Sequence, residues 1–360
     1  MYNLNLDDQK IYKRLDIKGV AKSIELLPAQ IKQVLKDLHS VKIPKEFRQC
    51  TKILVNGMGG SSTGARIVKS VFARELKVPF NIEPGYVLHD YVDKNTLYII
   101  VSYSGTTEEP LTTYEEAKKR GAKILAIAEN NPKTPLYKLI KKNNIPGYIF
   151  TPTNNISNQP RLGVGYTMFG IIYLLMRVGF LNIKEKVVEN YLAQMKIDSK
   201  KFSLDKPTKN NQAKKIAKSF LNHAVVLVGA EHLEGNLYSF RNQINECAKQ
   251  FSTYLTLSDL NHFAMEGLVN PKSNKNNLIF FFIDSKLYHP RIQERSKLTK
   301  QVVAKNGIKV VSSELKSTTK INQAFEFLQL GSWISYYLGM LNGVDPVKIP
   351  WVDWFKKELK

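Results

Sequence analysis

The 360-residue chain has only two cysteines, Cys50 and Cys247, too few for a disulfide framework or a four-thiolate zinc site. A reducing compartment, the cytoplasm, is therefore the expected setting. Histidine is also scarce: there are six, with no HxH or HExxH pair, so no zinc site is implied. Acidic residues number 31 against 53 Lys and Arg, a formal charge of +22. That balance favours anionic partners, such as phosphorylated metabolites, nucleic acid or an anionic membrane, unless the lysines are simply a solvated surface. Only one hydrophobic run is long enough to span a bilayer, residues 162–181 (LGVGYTMFGIIYLLMRVGFL). Arg177 and Gly163, Gly165, Gly170 and Gly179 interrupt it, so a core or subunit-interface helix is expected rather than a membrane span. The opening MYNLNLDDQK carries two early Asp residues and no apolar stretch, and no secretory signal is expected there. With 43% apolar and 23% charged residues, the composition is that of an ordinary folded protein and excludes disordered or collagen-like chains.

Along the chain, residues 1–48 have helical apolar spacing that Pro44 closes. Short apolar runs then alternate with helical segments. Strands are expected at 51–57, 96–105, 122–130 and 148–152, and again at 224–230, 254–260, 277–284 and 308–315. Residues 162–200 and 320–342 read as helical, and 198–212 as a polar linker. Near-continuous Val/Ile/Leu runs separated by helices specify parallel sheets covered on both faces. The predicted fold is thus α/β: two doubly wound parallel-sheet domains of three α/β/α layers, at 49–200 and 201–345. A helical segment (1–48) precedes them and a helical tail (346–360) follows. In such folds ligands bind outside the carboxyl ends of the strands.

Two turns fall at that position. NGMGGSSTG (56–64) follows the first strand, and SYSGTTEE (102–109) follows the second. The first is out of register with the dinucleotide fingerprint and lacks the GK[ST] of a P-loop. Both place hydroxyls and glycines at a helix start, where free amides and the helix dipole suit a phosphate monoester. Each alone also reads as an ordinary capped helix.

Taken together, these turns resemble the sugar isomerase (SIS) domain. NQPRLGVGY (158–166), RNQINECAK (241–249), SDLNHFAMEG (258–267) and the tail SYYLGMLNGVDPVKIPWVDWFKKELK (335–360) resemble, in order, motifs of the bifunctional phosphoglucose/phosphomannose isomerase family. The resemblance implies a cofactor-free, metal-free aldose–ketose isomerase of glycolysis and gluconeogenesis. It would interconvert glucose 6-phosphate, and mannose 6-phosphate, with fructose 6-phosphate through a cis-enediolate. Glu246 takes the position of the base that moves the proton between C1 and C2. His262 matches the ring-opening histidine, which the family shares across a homodimer, and Lys356, or the adjacent Lys357, matches the terminal lysine that assists. Arg161 matches an arginine suited to the enediolate charge. Gly60 and Ser61 would line the sugar, and Ser102, Ser104 and Thr107 would bind the phosphate. Neither a nucleic-acid nor a membrane partner is implied.

The chain departs from the family at GGSSTGA (59–65), at Cys247, where relatives carry Asn, and at Val347 after Asp345-Pro346. These departures leave the glucose-to-mannose preference open. The alternative reading is a phosphosugar-binding SIS-domain regulator or a non-catalytic binding protein. A regulator would need a helix-turn-helix, and residues 1–48 show no clear turn or recognition-helix pattern.

Overall fold

The structure, a computed structural model, describes residues 5–39, 41–183 and 185–359. It divides into two compact units, one formed by residues 26–196 with 232–236, the other by the stretch ending at Glu25 with 197–231 and 237–360. The N-terminal helical segment is therefore split. Helices Gln9–Leu15 and Val20–Glu25 belong with the second unit, and helix Leu27–Leu38 with the first.

The first unit contains β1 (Lys52–Asn56), β2 (Phe80–Glu83), β3 (Thr96–Ser102), β4 (Lys123–Glu129) and β5 (Gly147–Phe150). All pair in parallel, in the order β2-β1-β3-β4-β5. The sequence marked four of these strands and missed β2. FNIE lies between Pro79 and Pro84, buries only Phe80 fully, and forms the sheet edge, where proline is tolerated. β3 is buried along its whole length, as a strand covered on both faces must be. Alternation decides which layer each side chain meets. Leu54, Tyr98, Ile100, Ala126 and Ala128 pack with Tyr114, Ala117, Leu136 and Ile140 of helices Glu108–Lys119 and Pro135–Asn143. Helix Val164–Val178 covers the other face, its Gly170 lying against Ile127 and Tyr148. The long apolar run is thus a buried core helix, ended at Gly179 by a left-handed residue. Among the described residues no helix is long and apolar enough to cross a membrane.

The second unit contains β6 (Ala224–Gly229), β7 (Ser252–Thr256), β8 (Leu278–Asp284) and β9 (Lys309–Glu314), all parallel, in the order β7-β6-β8-β9. Phe281 meets Phe220 and Phe240 on one face, while Phe280 and Phe282 stack on the other. Helix Lys320–Leu341 is buried for most of its length; its Tyr336 and Tyr337 pack against Tyr12, and its Trp333 against both tyrosines. The stretch read as a linker is structured: a helix runs to Lys201, and the Leu204 carbonyl accepts from the buried Lys214 ammonium at 3.1 Å. That ammonium also reaches the Leu6 carbonyl (2.9 Å) and Asp7 (3.2 Å), and so fastens the N-terminal segment to the second unit. β7 starts and ends earlier than expected, because the backbone leaves the strand before Ser258, which has φ +75°.

Helix Gly59–Val71 and helix Val164–Val178 approach so closely that a Cβ on Gly64 would lie 2.5 Å from the Met168 nitrogen. Gly64→Ala is therefore expected to cost about 1–3 kcal/mol, since backbone cannot yield as a side chain would. Scanning calorimetry should show a lower unfolding midpoint; an unchanged one would mean that the helices separate freely.

Candidate active site

The turn after β3 is built around Gly105, which has φ +67° and lies so close to Thr134 that a Cβ would approach its Oγ1 to 2.5 Å. Ser102 is fully buried, and its hydroxyl pairs with Thr107 Oγ1 at 2.9 Å. Ser104 pairs with Thr106 at 3.1 Å. Thr107 precedes helix Glu108–Lys119 in extended conformation, and its side chain does not cap the first turn. Its hydroxyl is held sideways by Ser102, which leaves the helix start lined by Ser104, Thr106 and Thr107. Such a start attracts an anion through its amides and dipole. The Glu108 carboxylate is turned to the Tyr86 hydroxyl (3.3 Å).

The turn after β1 meets this one directly: the Tyr103 amide donates to the Ser61 hydroxyl at 2.9 Å. On Gly60 a Cβ would come 2.9 Å from the Arg161 nitrogen, so only a bare backbone lets the 160–161 peptide lie there. Arg161 is buried in a short turn, Pro160–Leu162, and donates to Gln159 Oε1 at 3.0 Å. The Tyr103 ring holds that turn from below. Its hydroxyl donates to Asn158 Oδ1 (3.1 Å) and accepts from Asn155 Nδ2 (2.8 Å), and its edge fills the space a Cβ on Gly163 would need. Burial pushes the Tyr103 hydroxyl well above its ordinary pKa, so it stays a neutral donor. Burial also raises the Glu129 carboxyl, at the end of β4, against a hydrogen bond from Asn158. The predicted residues Gly60, Ser61, Ser102, Ser104, Thr107 and Arg161 are thus brought onto three touching turns of one unit. Tyr103, Thr134 and Asn155, which hold those turns, were not singled out from the sequence; only the place of Tyr103 inside SYSG hinted at a role.

In the second unit, Glu246 lies half-buried on a π-helical turn, Ile244–Ala248, that ends helix Glu234–Gln243. A π turn holds one residue more than an α turn, and such turns recur at functional positions. Asn245 seals it to the start of β7, donating to the Arg241 carbonyl (2.9 Å) and to Ser252 Oγ (2.8 Å). Cys247 is buried. His262 comes after β7, in the turn Asp259–His262. Leu260 is buried, and Asn261 is tied to Thr299 (2.7 Å) and Arg295 (3.2 Å), which leaves His262 exposed. Glu246 precedes β7 and His262 follows it, so they sit at opposite ends of a five-residue strand. Lys356 and Lys357 are exposed on helix Pro350–Glu358, none of whose residues is buried. Among the described residues, no group of three or more His, Cys, Asp or Glu side chains is placed to hold a metal.

Comparison with known proteins follows the same division. Residues 46–146 match the SIS domain model, and residues 209–359 match that of the bacterial phospho-glucose isomerase C-terminal SIS domain. The chain is 26% identical over 340 residues to the bifunctional phosphoglucose/phosphomannose isomerase of Caldicellulosiruptor bescii, covering 94% of this chain and 98% of that protein. It is 29% identical over 331 residues to the enzyme of the same name from Thermoplasma acidophilum, covering 91% and 96%. Among solved structures, a Thermus thermophilus protein superimposes with a TM-score of 0.74 at 13% identity, over 98% of this chain and 92% of that one. The C-terminal domain of glucosamine-fructose-6-phosphate aminotransferase from Francisella tularensis does so with 0.67 at 16%, over 91% and 96%. These structures share the fold. With a SIS domain in its first half and a phospho-glucose isomerase C-terminal SIS domain in its second, the chain is similar nearly end to end to bifunctional phosphoglucose/phosphomannose isomerases.

Proposed function

We propose that this chain interconverts glucose 6-phosphate, and mannose 6-phosphate, with fructose 6-phosphate. The observation that carries this reading is the hydroxyl-lined, uncapped helix start at 102–107, joined through Ser61 to the turn holding Gly60 and Arg161. Ser104 and Thr107 take the phosphate, and Ser102, being fully enclosed, acts by fixing Thr107. Gly60 and Ser61 line the sugar side. Glu246 removes the C2 proton of the open-chain aldose and returns it to C1, while the O2 proton passes to O1. No co-reactant is needed. The Arg161 guanidinium stabilises the negative charge of the cis-enediolate between the two steps. Ring opening falls to His262 of the partner subunit, with Lys356 assisting. The homodimer, with His262 shared across subunits, rests on the resemblance of SDLNHFAMEG (258–267) to the family's motif. The two cysteines are free and buried, in keeping with the cytoplasmic setting we infer.

A coupled assay of both aldose phosphates tests the base. Glu246→Gln is expected to lower kcat about 10²–10⁴-fold with hexose-phosphate binding retained, the range of a lost general base. Full activity in that variant would reject the mechanism, and binding without turnover in the wild type would leave a non-catalytic phosphosugar protein. Removing a hydroxyl from the anion costs about 1.5–3 kcal/mol. Calorimetric titration of Ser104→Ala and Thr107→Val should accordingly show fructose 6-phosphate bound at least about tenfold more weakly. The shared site is tested by mixing Glu246→Gln with His262→Ala protein. Hybrid dimers retain one intact pair, so about a quarter of wild-type activity should return at equal mixing; no recovery would place both residues in one chain's site.

A further inference from the structure

We infer that Lys249 is a positioning residue for this reaction: its ammonium fixes the turn carrying Glu246 to the segment carrying Lys356. The inference rests on the roles proposed above for those two side chains. Lys249 closes the π-helical turn in a left-handed conformation, φ +51°, which a non-glycine residue adopts only when its surroundings require it. Lys249 lies on the surface, and its Nζ donates to the Glu246 carbonyl at 2.9 Å and to the Asp345 carbonyl. Both acceptors are main chain, so the contact sets the spacing of two backbones rather than of two mobile side chains. Carbonyls at the end of a helical turn lack intrahelical donors and carry the negative end of the dipole, and a lysine ammonium there satisfies both. One nitrogen with three protons can donate to two converging carbonyls at once.

The rest of the turn is braced independently of Lys249. Asn245 holds its outer side to Ser252. Asn342 donates to the Ala248 carbonyl at 2.9 Å, and Gly339 approaches so closely that a Cβ would lie 2.6 Å from the Cys247 carbonyl. Beyond Asp345, whose carboxylate accepts from the Val347 amide at 2.8 Å, the chain enters helix Pro350–Glu358. That helix is exposed along its nine residues, too short to be stable by its own hydrogen bonds and held by no buried side chain. Its position relative to Glu246 is therefore set at its base, where Lys249 grips Asp345.

The test is Lys249→Met in the full-length chain, which keeps the apolar stem and removes the donors. Amide hydrogen exchange in 244–248 and 345–359 should quicken about tenfold or more, with β1–β5 unchanged. In the coupled assay kcat should fall roughly 10–100-fold while KM for fructose 6-phosphate stays within about threefold, as misplacement of reacting groups requires. Lys249→Arg, which retains charge and reach, should recover most of both. Unchanged exchange in the two segments overturns the tie, and faster exchange with unchanged kcat overturns the positioning role. If the wild type turns over no hexose phosphate, the functional reading fails, and the exchange comparison still decides whether Lys249 joins the two segments.

Discussion

The hydrogen bond from the Tyr103 amide to the Ser61 hydroxyl is the contact on which the arrangement of the first unit's turns depends. Two strands of a parallel sheet each end in a turn, and nothing in strand pairing alone fixes those turns to one another. Ser61 does so by giving its acceptor to the residue that follows Ser102. The side chain of that residue then sets the third turn, because the Tyr103 hydroxyl is held by Asn155 and Asn158 and its ring lies under Gly163. A single residue, by its amide and its ring, thus places the Gly60, Ser102 and Arg161 turns together. The hydroxyls divide the work accordingly. Ser102 and Ser61 are enclosed and serve the backbone and Thr107, which leaves Ser104 and Thr107 facing the helix start.

The second unit repeats the architecture and uses it differently. Its turn after β8 is closed by its own side chains: the Tyr288 hydroxyl accepts from the Ala230 amide (3.1 Å) and donates to the Ile283 carbonyl, while Asp284 is engaged by Ser296 and Lys300. The Ala230 N–H is thereby already engaged. Two motif residues of the second unit, Glu246 and His262, stand on irregular backbone. Glu246 is on a π turn, and His262 follows a serine with positive φ. Each is next to an asparagine tied to the fold, Asn245 to Ser252 and Asn261 to Thr299.

The legibility of these features in the sequence follows from the range of the interactions that create them. Strands covered on both faces announce themselves as apolar runs, and eight were read; β2 was not, because an edge strand between two prolines has neither the run nor the need for it. The end of β7 was misplaced because Ser258 leaves the extended region within a segment whose composition still reads as strand. The hydroxyl turn at 102–107 was visible because its chemistry is local, whereas its supports are distant in the chain: Ser61 lies 42 residues from Tyr103, and Asn155 lies 52. The roles of Glu246, His262 and Arg161 came from resemblance, not from spacing.

Lys249 shows the limit most plainly. In the sequence it is one lysine among many in a chain of +22 charge, and nothing in NECAK separates it from a solvated side chain. Its distinction arises from a left-handed backbone angle and a carbonyl 96 residues away, neither of which composition or periodicity encodes. A catalytic motif read from sequence names the group that does chemistry. The residue that decides where that group stands becomes visible only when the chain has folded back on it.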